Sequence, residues 1–483
     1  MSGLESRIVR VPTISILCAA MLCAAMLWPL AAAADTIKLK NGRTIVADSV
    51  RERGSRVEYE IGDNTYAIQK SSVASITAGG APVVSGARTE EEVPEPPASE
   101  PLDRLPDLTN LVVVNGAVDT DTLALIEKQG DVQRTAAAYY AAGRFEHLRG
   151  NLARAVDYMK EAVRLDAGSS LILEHYASLL LTTGRAPEAL PYAEQAVRVT
   201  PKSADTQNIL GYALYQNDRT KEAVAAWQRS LELRPSEKTQ AMLERAQREL
   251  AAEEGYGEQE SNHFTMRYEG TKAPAALRRG ILDALERHYS DLAAQFGDAP
   301  HQSVVVILYT DQAYFDVTQA PAWTSALNDG KLRIPLRGMD RVSSELSSVL
   351  RHELAHSFIN AMSRGRAPVW LHEGIAQMMQ GKTSAAFGRV MAQGFATGHF
   401  IPLNGMEGSF MSFGKDESAV AYAESLAFVE YISEKYGFSD VVRILQRIAE
   451  GASTEAALRA TVHDGYSGLE GELGPYLKSK YGD

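Results

Sequence analysis

The residues of this chain best suited to chemistry are His352, Glu353 and His356, which form the pattern His-Glu-x-x-His. They lie in an apolar stretch that predicts an α-helix, on which residues i and i+4 project from nearly the same face, about 6 Å apart along the axis. Two imidazoles at that spacing can bind one Zn²⁺ ion, each through a ring nitrogen. Glu353 cannot reach the same ion without distorting the turn, but its carboxylate can reach a water molecule on the metal. The pattern therefore indicates a hydrolase with Glu353 as general base.

A second block supplies candidates for the third metal ligand. His372 and Glu373 lie in a Trp-Leu-His-Glu-Gly segment after Pro368, a residue suited to the start of a helix. Adjacent helical residues point about 100° apart, so only one of the two should face the metal. A carboxylate on a second helix is the usual third ligand, which favours Glu373 and leaves His372 as a rim or substrate-contact residue. Gln377, one turn later, is a candidate hydrogen-bond partner of the ligands, and the sequence leaves that role open.

Together these blocks resemble the gluzincin, or peptidase-MA-like, group of zinc metallopeptidases, in which His-Glu-x-x-His precedes a Trp-Leu-x-Glu-Gly-x-Ala block. The resemblance covers roughly residues 260–440. It implies that His352, His356 and Glu373 bind one Zn²⁺ ion per chain and that Glu353 is the catalytic acid and base. His372 departs from the commoner residue at its position in that block.

The resemblance also implies two further roles. The family often stabilises the oxyanion with a Tyr or His from a later helix, and Tyr422 is the candidate here, with an ordinary half-buried tyrosine as the alternative. The family binds extended substrates along an edge strand near the active-site helix, and residues 330–336 predict a strand that Pro335 marks as an edge. The predicted substrate-binding residues are therefore Lys331, Leu332, Arg333 and Ile334.

The elements that must position these residues predict an α+β domain over residues 260–483. Strands are expected at residues 264–268 and 304–309, and the apolar spacing of residues 275–296 predicts an amphipathic helix. A Gly- and Ser-rich stretch, residues 380–418, has no clear period and suggests a loop or lid over the cleft. Helices are expected at residues 419–436 and again within 438–481.

An internal repeat of about 34 residues precedes this domain, in the units 135–168, 169–202 and 203–236. Small residues recur in shared columns, such as Gly143, Ala177 and Gly211. The period and the columns resemble tetratricopeptide repeats, which predicts an all-α solenoid over residues 109–255 with a capping segment at each end. Such a solenoid can bind a protein partner or serve only as a spacer, and the sequence does not separate the two.

The first 108 residues divide into three segments. Basic residues, an apolar run and Ala32-Ala33-Ala34 predict a cleaved signal peptide over residues 1–34. Short alternating segments over residues 35–80 predict five strands and a small all-β SH3-like module used for docking. Residues 81–108 are rich in Pro, Glu and Ser, which predicts an extended linker.

Composition narrows the class of protein. The 483 residues carry a formal net charge of −12, which argues against nucleic acid as a main partner. Both cysteines, Cys18 and Cys23, lie in the predicted signal peptide, so the mature chain would bind metal through His and carboxylate ligands. After signal cleavage no stretch is long enough to span a membrane.

The sequence therefore predicts an exported, multidomain zinc metallopeptidase, in the bacterial periplasm or secreted, acting on a protein or peptide substrate. Two alternatives stay open. The chain could be a cell-envelope scaffold that acts through its repeats and carries a vestigial peptidase domain, although the intact Glu353 argues against this. It could also keep the metal and cleave another bond, as an amidase on cell-wall peptide would.

Overall fold

The structure is a computed structural model that describes residues 35–40, 44–47, 49–61, 64–77, 105–149, 151–318, 326–408, 410, 413 and 415–482. They fall into two compact units, one before and one after residue 80. The predicted signal peptide and almost all of the predicted linker lie outside the described residues. Among the helices in the described ranges, none combines the length and the apolar composition that a membrane span requires.

The first unit contains six described strands in two antiparallel sheets of three, with the strand orders β2-β1-β6 and β3-β4-β5. Ile37, Val57 and Tyr59 are buried between them. A closed SH3-like barrel is not shown, and the five predicted strands omitted β3, whose Ser-Val-Arg-Glu-Arg sequence has a single apolar residue. The strands are β1 (Asp35–Leu39), β2 (Thr44–Ala47), β3 (Ser49–Arg53), β4 (Arg56–Ile61), β5 (Asn64–Gln69) and β6 (Val73–Thr77).

The second unit begins with a capping segment and three helical hairpins. Three serines cap helices by accepting a hydrogen bond from a backbone N–H in the first turn: Ser169, Ser203 and Ser236. The capping segment comprises α1 (Thr109–Val112), β7 (Val113–Val114), β8 (Ala117–Val118) and α2 (Thr120–Lys128). The hairpins are α3 (Val132–Leu148) with α4 (Leu152–Leu165), α5 (Ser170–Thr182) with α6 (Ala186–Val199), and α7 (Ala204–Gln216) with α8 (Thr220–Leu233). Helix α9 (Glu237–Ala252) follows.

The column of small residues marks where the two helices of a hairpin touch. A Cβ on Gly211 would lie 2.4 Å from the indole nitrogen of Trp227, so α7 and α8 can pack at this distance only with glycine there. The solenoid predicted from the repeat is therefore supported by the helices and by the residues that join them.

The C-terminal part of the second unit is built on a mixed five-stranded sheet with the order β12-β13-β11-β10-β9. The three central strands are parallel, and the two outer strands run antiparallel to their neighbours. Strand β13 pairs on both sides, so the prediction that residues 331–334 form an exposed edge is wrong. The strands are β9 (Gly257–Glu260), β10 (Phe264–Tyr268), β11 (Val304–Tyr309), β12 (Leu327–Asn328) and β13 (Leu332–Pro335).

Helices surround this sheet and share one hydrophobic core with it. The predicted helix 275–296 begins and ends where the apolar spacing placed it. The helices are α10 (Ala275–Phe296), α11 (Asp311–Thr318), α12 (Ser344–Ser363), α13 (Val369–Met379), α14 (Gly388–Ala396), α15 (Lys415–Tyr436), α16 (Phe438–Ala449), α17 (Thr454–Val462) and α18 (Tyr466–Tyr481).

The stretch predicted as a loop or lid is ordered structure wherever it is described. It contains α14 and two short 3-10 turns, Ser384–Ala386 and Leu403–Met406. Two buried carboxylates on α15 hold it: Glu430 accepts a hydrogen bond from the Ser384 N–H and Glu424 one from the Ile401 N–H, both at 3.0 Å. These hydrogen bonds could not be predicted from the sequence, because the residues they join are far apart in the chain.

Candidate metal centre

Two consecutive helices, α12 and α13, carry the candidate site. Ser343 caps the start of α12 with its hydroxyl, which accepts from the Leu346 N–H at 3.1 Å. Arg364 follows the end of the helix in the left-handed conformation (φ 52°) and begins a short turn. That short turn reverses the chain, so the buried face of α13 meets the buried face of α12. His352, Glu353, His356 and Glu373 are all buried there.

Among the described residues, His352, His356 and Glu373 form one group whose candidate ligand atoms lie within 4.8 Å of one another. The Nε2 atoms of the two histidines are 3.2 Å apart. The Glu373 oxygens lie 3.8 Å from the His352 Nε2 and 3.9 Å from the His356 Nε2. Ligands of one tetrahedral Zn²⁺ ion lie about 3.3 Å from each other, given bonds near 2.0–2.1 Å. The three predicted ligands therefore fit a single small divalent cation.

His372 is not a rim residue, because it is buried and its ring contacts the ring of His356. The two Nδ1 atoms are 2.7 Å apart, and the His372 Nε2 lies 3.0 Å from the Asn360 Oδ1. That oxygen can only accept, so the His372 Nε2 carries a proton and donates a hydrogen bond to it. The His372 Nδ1 then has a lone pair and accepts a hydrogen bond from the His356 Nδ1–H. The His356 Nε2 is then left with a lone pair toward Glu373 and His352, which is the tautomer that a metal requires.

Replacing His372 with alanine is expected to weaken metal binding about 10- to 100-fold, the usual cost of losing a hydrogen-bond partner of a ligand. Metal affinity measured by competition with a chelating dye checks this. Asn360→Leu should weaken binding in the same direction, because it removes the acceptor that sets the His372 tautomer. An unchanged metal affinity in both variants would show that the hydrogen bonds from His356 to His372 and from His372 to Asn360 do not orient His356.

Burial sets the protonation of the site. It lowers the pKa of His352 to about 3, assisted by the Lys382 charge, and it lowers the pKa of His356 well below its ordinary value. Both histidines are thus neutral, which is the form that binds a cation. Burial also raises the pKa of Glu353 to about 8, with a smaller contribution from Asp329.

Asn328 holds the backbone of α12 at Glu353. Its amide nitrogen donates to the Glu353 carbonyl at 2.6 Å and to the Ser357 hydroxyl at 2.8 Å, while its oxygen accepts from the Gly330 N–H at 3.0 Å. Strand β12 is thereby fixed to α12 beside the candidate base.

Tyr422 lies on α15, which packs closely against α13. A Cβ on Gly374 would lie 2.3 Å from the Ser425 carbonyl oxygen, so the glycine after Glu373 permits this approach. Gln377 donates to the Tyr422 carbonyl at 2.9 Å, so it joins the two helices through the backbone instead of orienting a histidine. Burial raises the pKa of Tyr422, and the negative charges of Glu373 and Glu353 raise it further. The hydroxyl is therefore protonated.

The predicted substrate-binding residues lie elsewhere. Leu332 and Ile334 are in the hydrophobic core. Lys331 and Arg333 are buried against the solenoid, where both bind Glu249 of α9. The two charged side chains meet another part of the same chain and not substrate, so the predicted substrate role is corrected.

Two residues that contribute to the site were missed from the sequence. Asn360 follows His356 by four residues, so its helical spacing was a usable signal. Asn328 gave no local signal, because its Asn-Asp-Gly context is that of an ordinary turn and its partners lie on a distant helix.

Comparisons with known proteins match two regions of the chain. Residues 286–479 match the Peptidase MA superfamily, and residues 123–170 and 177–238 match the tetratricopeptide repeat. A Peptidase MA superfamily domain and tetratricopeptide repeats are therefore present.

Three proteins are similar to parts of this chain. The small glutamine-rich tetratricopeptide repeat-containing protein 2 of Mycosarcoma maydis is 30% identical over 82 residues, which is 17% of this chain and 23% of that protein. The chain thus spans about a quarter of the length of this curated relative. The Arabidopsis OM64 TPR domain is 20% identical, with 23% of this chain and 93% of that one covered and a TM-score of 0.22. The Sgt2 TPR domain from Aspergillus fumigatus is 21% identical, with 26% and 86% covered and a TM-score of 0.24.

Proposed function

We propose that this chain is an exported zinc metallopeptidase that hydrolyses peptide bonds, with Glu353 as general base. The observation that carries the proposal is the buried convergence of His352, His356 and Glu373 with Glu353 on the same helix. The Peptidase MA superfamily match over the same region supports it, since that superfamily is commonly zinc-dependent.

One Zn²⁺ ion per chain would be held by His352, His356 and Glu373. It would supply Lewis-acid activation of water and of the scissile carbonyl. Both histidines are neutral, hydrogen bonds through His372 and Asn360 orient His356, and all three ligands are buried. These features favour a cation bound directly by the side chains over one that keeps its shell of water.

The chain's own residues divide the remaining work. Glu353 accepts the proton of the attacking water and passes it to the leaving amine. Burial raises the pKa of Glu353 to about 8, near neutral pH, where one group can serve as both general base and general acid. The Tyr422 hydroxyl donates a hydrogen bond to the developing oxyanion. Asn328 keeps the backbone of Glu353 in place for both proton transfers.

Replacing Tyr422 with phenylalanine is expected to lower kcat about 100-fold, because it removes one oxyanion donor while leaving the ring in place. Zinc content should stay at the wild-type level. The measurement is steady-state cleavage of an unstructured protein such as casein, together with metal analysis. Wild-type turnover in the variant would assign Tyr422 to packing alone, through its edge-to-face contact with Phe410.

Export and partner binding complete the proposal. The basic and apolar composition of residues 1–34 supports a signal peptide and a periplasmic or secreted location. The tetratricopeptide repeats imply protein interaction, and the peptidase domain implies a protein or peptide substrate. A non-catalytic scaffold is the competing function, and retained metal without cleavage of any tested protein would favour it.

A further inference from the structure

The solenoid and the catalytic domain meet at a buried ionic cluster that the proposed mechanism does not use. Its centre is Glu249, on the last helix of the solenoid, which is 1% exposed. One carboxylate oxygen accepts from Lys331, and the other accepts from Arg333 at 2.8 Å and from the Tyr215 hydroxyl at 3.0 Å. A carboxylate so deeply buried stays charged only because cations surround it: Arg333 and Lys331 outweigh the effect of burial and lower its pKa.

The cluster continues from Glu249 to the candidate base. Arg333 donates from Nε to both oxygens of Asp329, at 3.0 and 2.8 Å. Asp329 follows Asn328 directly, and Asn328 holds the Glu353 carbonyl at 2.6 Å. The contacts at Glu249 and at the Glu353 carbonyl are buried, and the Arg333–Asp329 contact between them is partly buried. Three intermediate residues therefore connect Glu249 to the backbone of α12.

Other contacts fix the solenoid along the catalytic domain. The turn between α7 and α8 places Asp218 against Arg267 of β10, with an N–O distance of 3.0 Å, and against Lys331 at 2.8 Å. The first turn of α4 brings Ala153 against Gly451, where an added Cβ would lie 3.1 Å from the Ala153 Cβ. The first and third repeats therefore both contact the catalytic domain, the first through the start of α4 and the third through the turn between α7 and α8.

We propose that Glu249 of the solenoid is a positioning residue for the peptidase site, acting through Arg333, Asp329 and Asn328 on the backbone of Glu353. The solenoid is then part of the catalytic unit and not a tethered docking module. A ligand that shifts α9 changes turnover through this path. The kinetic part of this inference rests on the proposed peptidase function, whereas the structural part does not.

The test uses the full-length protein and the variants Glu249→Gln, Asn328→Ala and the double variant. Glu244→Gln is the matched control, because Glu244 lies on the same helix and is exposed. We expect Glu249→Gln and Asn328→Ala each to lower kcat about 10- to 100-fold with KM unchanged, as a small misplacement of a catalytic group does. Because both act on one path, the double variant should lose no more than the worse single variant. The proposal would be overturned if the kcat losses of the two single variants multiplied in the double variant. It would also be overturned if Glu249→Gln had the same turnover as the Glu244→Gln control.

Amide hydrogen exchange rates test the same path by a measurement that does not depend on turnover. Glu249→Gln should speed exchange in residues 326–336 and 351–358 and leave α16 as in the wild type. Faster exchange in the solenoid alone, or equally throughout the chain, would make Glu249 a merely structural residue. If Glu249→Gln does not fold, Tyr215→Phe removes one hydrogen bond from the same carboxylate and should give a smaller change in the same segments. If the wild type cleaves nothing, the proposed function fails and the exchange pattern alone decides this inference.

Discussion

Replacing His356 with alanine is expected to abolish metal binding and peptide cleavage together. His356 is fully buried and contacts both other ligands, so its loss leaves two donors and an open space where the third stood. The loss of affinity should exceed the roughly 10- to 100-fold expected for His372→Ala, because a ligand and not its partner is removed. Cleavage should fall to background. The measurement is zinc content after dialysis, with casein cleavage by the same sample.

The control is His399→Ala, since His399 is exposed and hydrogen-bonds Thr397 at 3.0 Å, away from the cluster. It should bind zinc and cleave casein as the wild type does. Zinc should also raise the melting temperature of the wild type and of the control but not of His356→Ala, since a cation stabilises only the fold that binds it. Equal zinc content in His356→Ala and the wild type would refute the ligand assignment.

Replacing Glu353 with glutamine is expected to separate binding from catalysis. The amide keeps the shape of the side chain and should leave the zinc content unchanged, because Glu353 is not a ligand. It cannot accept the proton of the attacking water, so kcat should fall by about 10²- to 10⁴-fold, the usual contribution of a general base. Metal analysis and steady-state cleavage on one preparation measure both effects.

A matched control lies on the same helix. Glu345 is exposed in the first turn of α12, so Glu345→Gln makes the same chemical change far from the metal ligands. It should retain wild-type turnover and zinc. If Glu353→Gln cleaved casein at the wild-type rate, another group would be the base, and the role taken from the His-Glu-x-x-His pattern would be withdrawn.

The convergence of the metal ligands could be predicted because it depends on short-range geometry. Helical spacing alone brings His352 and His356 together, and the Trp-Leu-His-Glu-Gly block supplied Glu373 as the better third ligand. The repeat period likewise located the helices of the solenoid, because each hairpin repeats the same local packing.

Contacts between distant segments could not be predicted. The charges of Lys331 and Arg333 were interpreted as facing substrate, because nothing near them in the sequence indicates that Glu249 faces them from the solenoid. Asn328 was missed for the same reason. The sequence shows His372 beside Glu373, but the predicted role as a rim or substrate-contact residue is wrong. Its contact with His356 depends on the angle between α12 and α13, which the sequence does not show.

The most direct test of the central claim is casein cleavage by the full-length protein at known zinc content. The account predicts about one zinc per chain, cleavage that a chelator abolishes, and recovery when zinc is restored in stoichiometric amount. Cleavage that continues after zinc is removed, or a wild-type chain that binds no zinc, would contradict it.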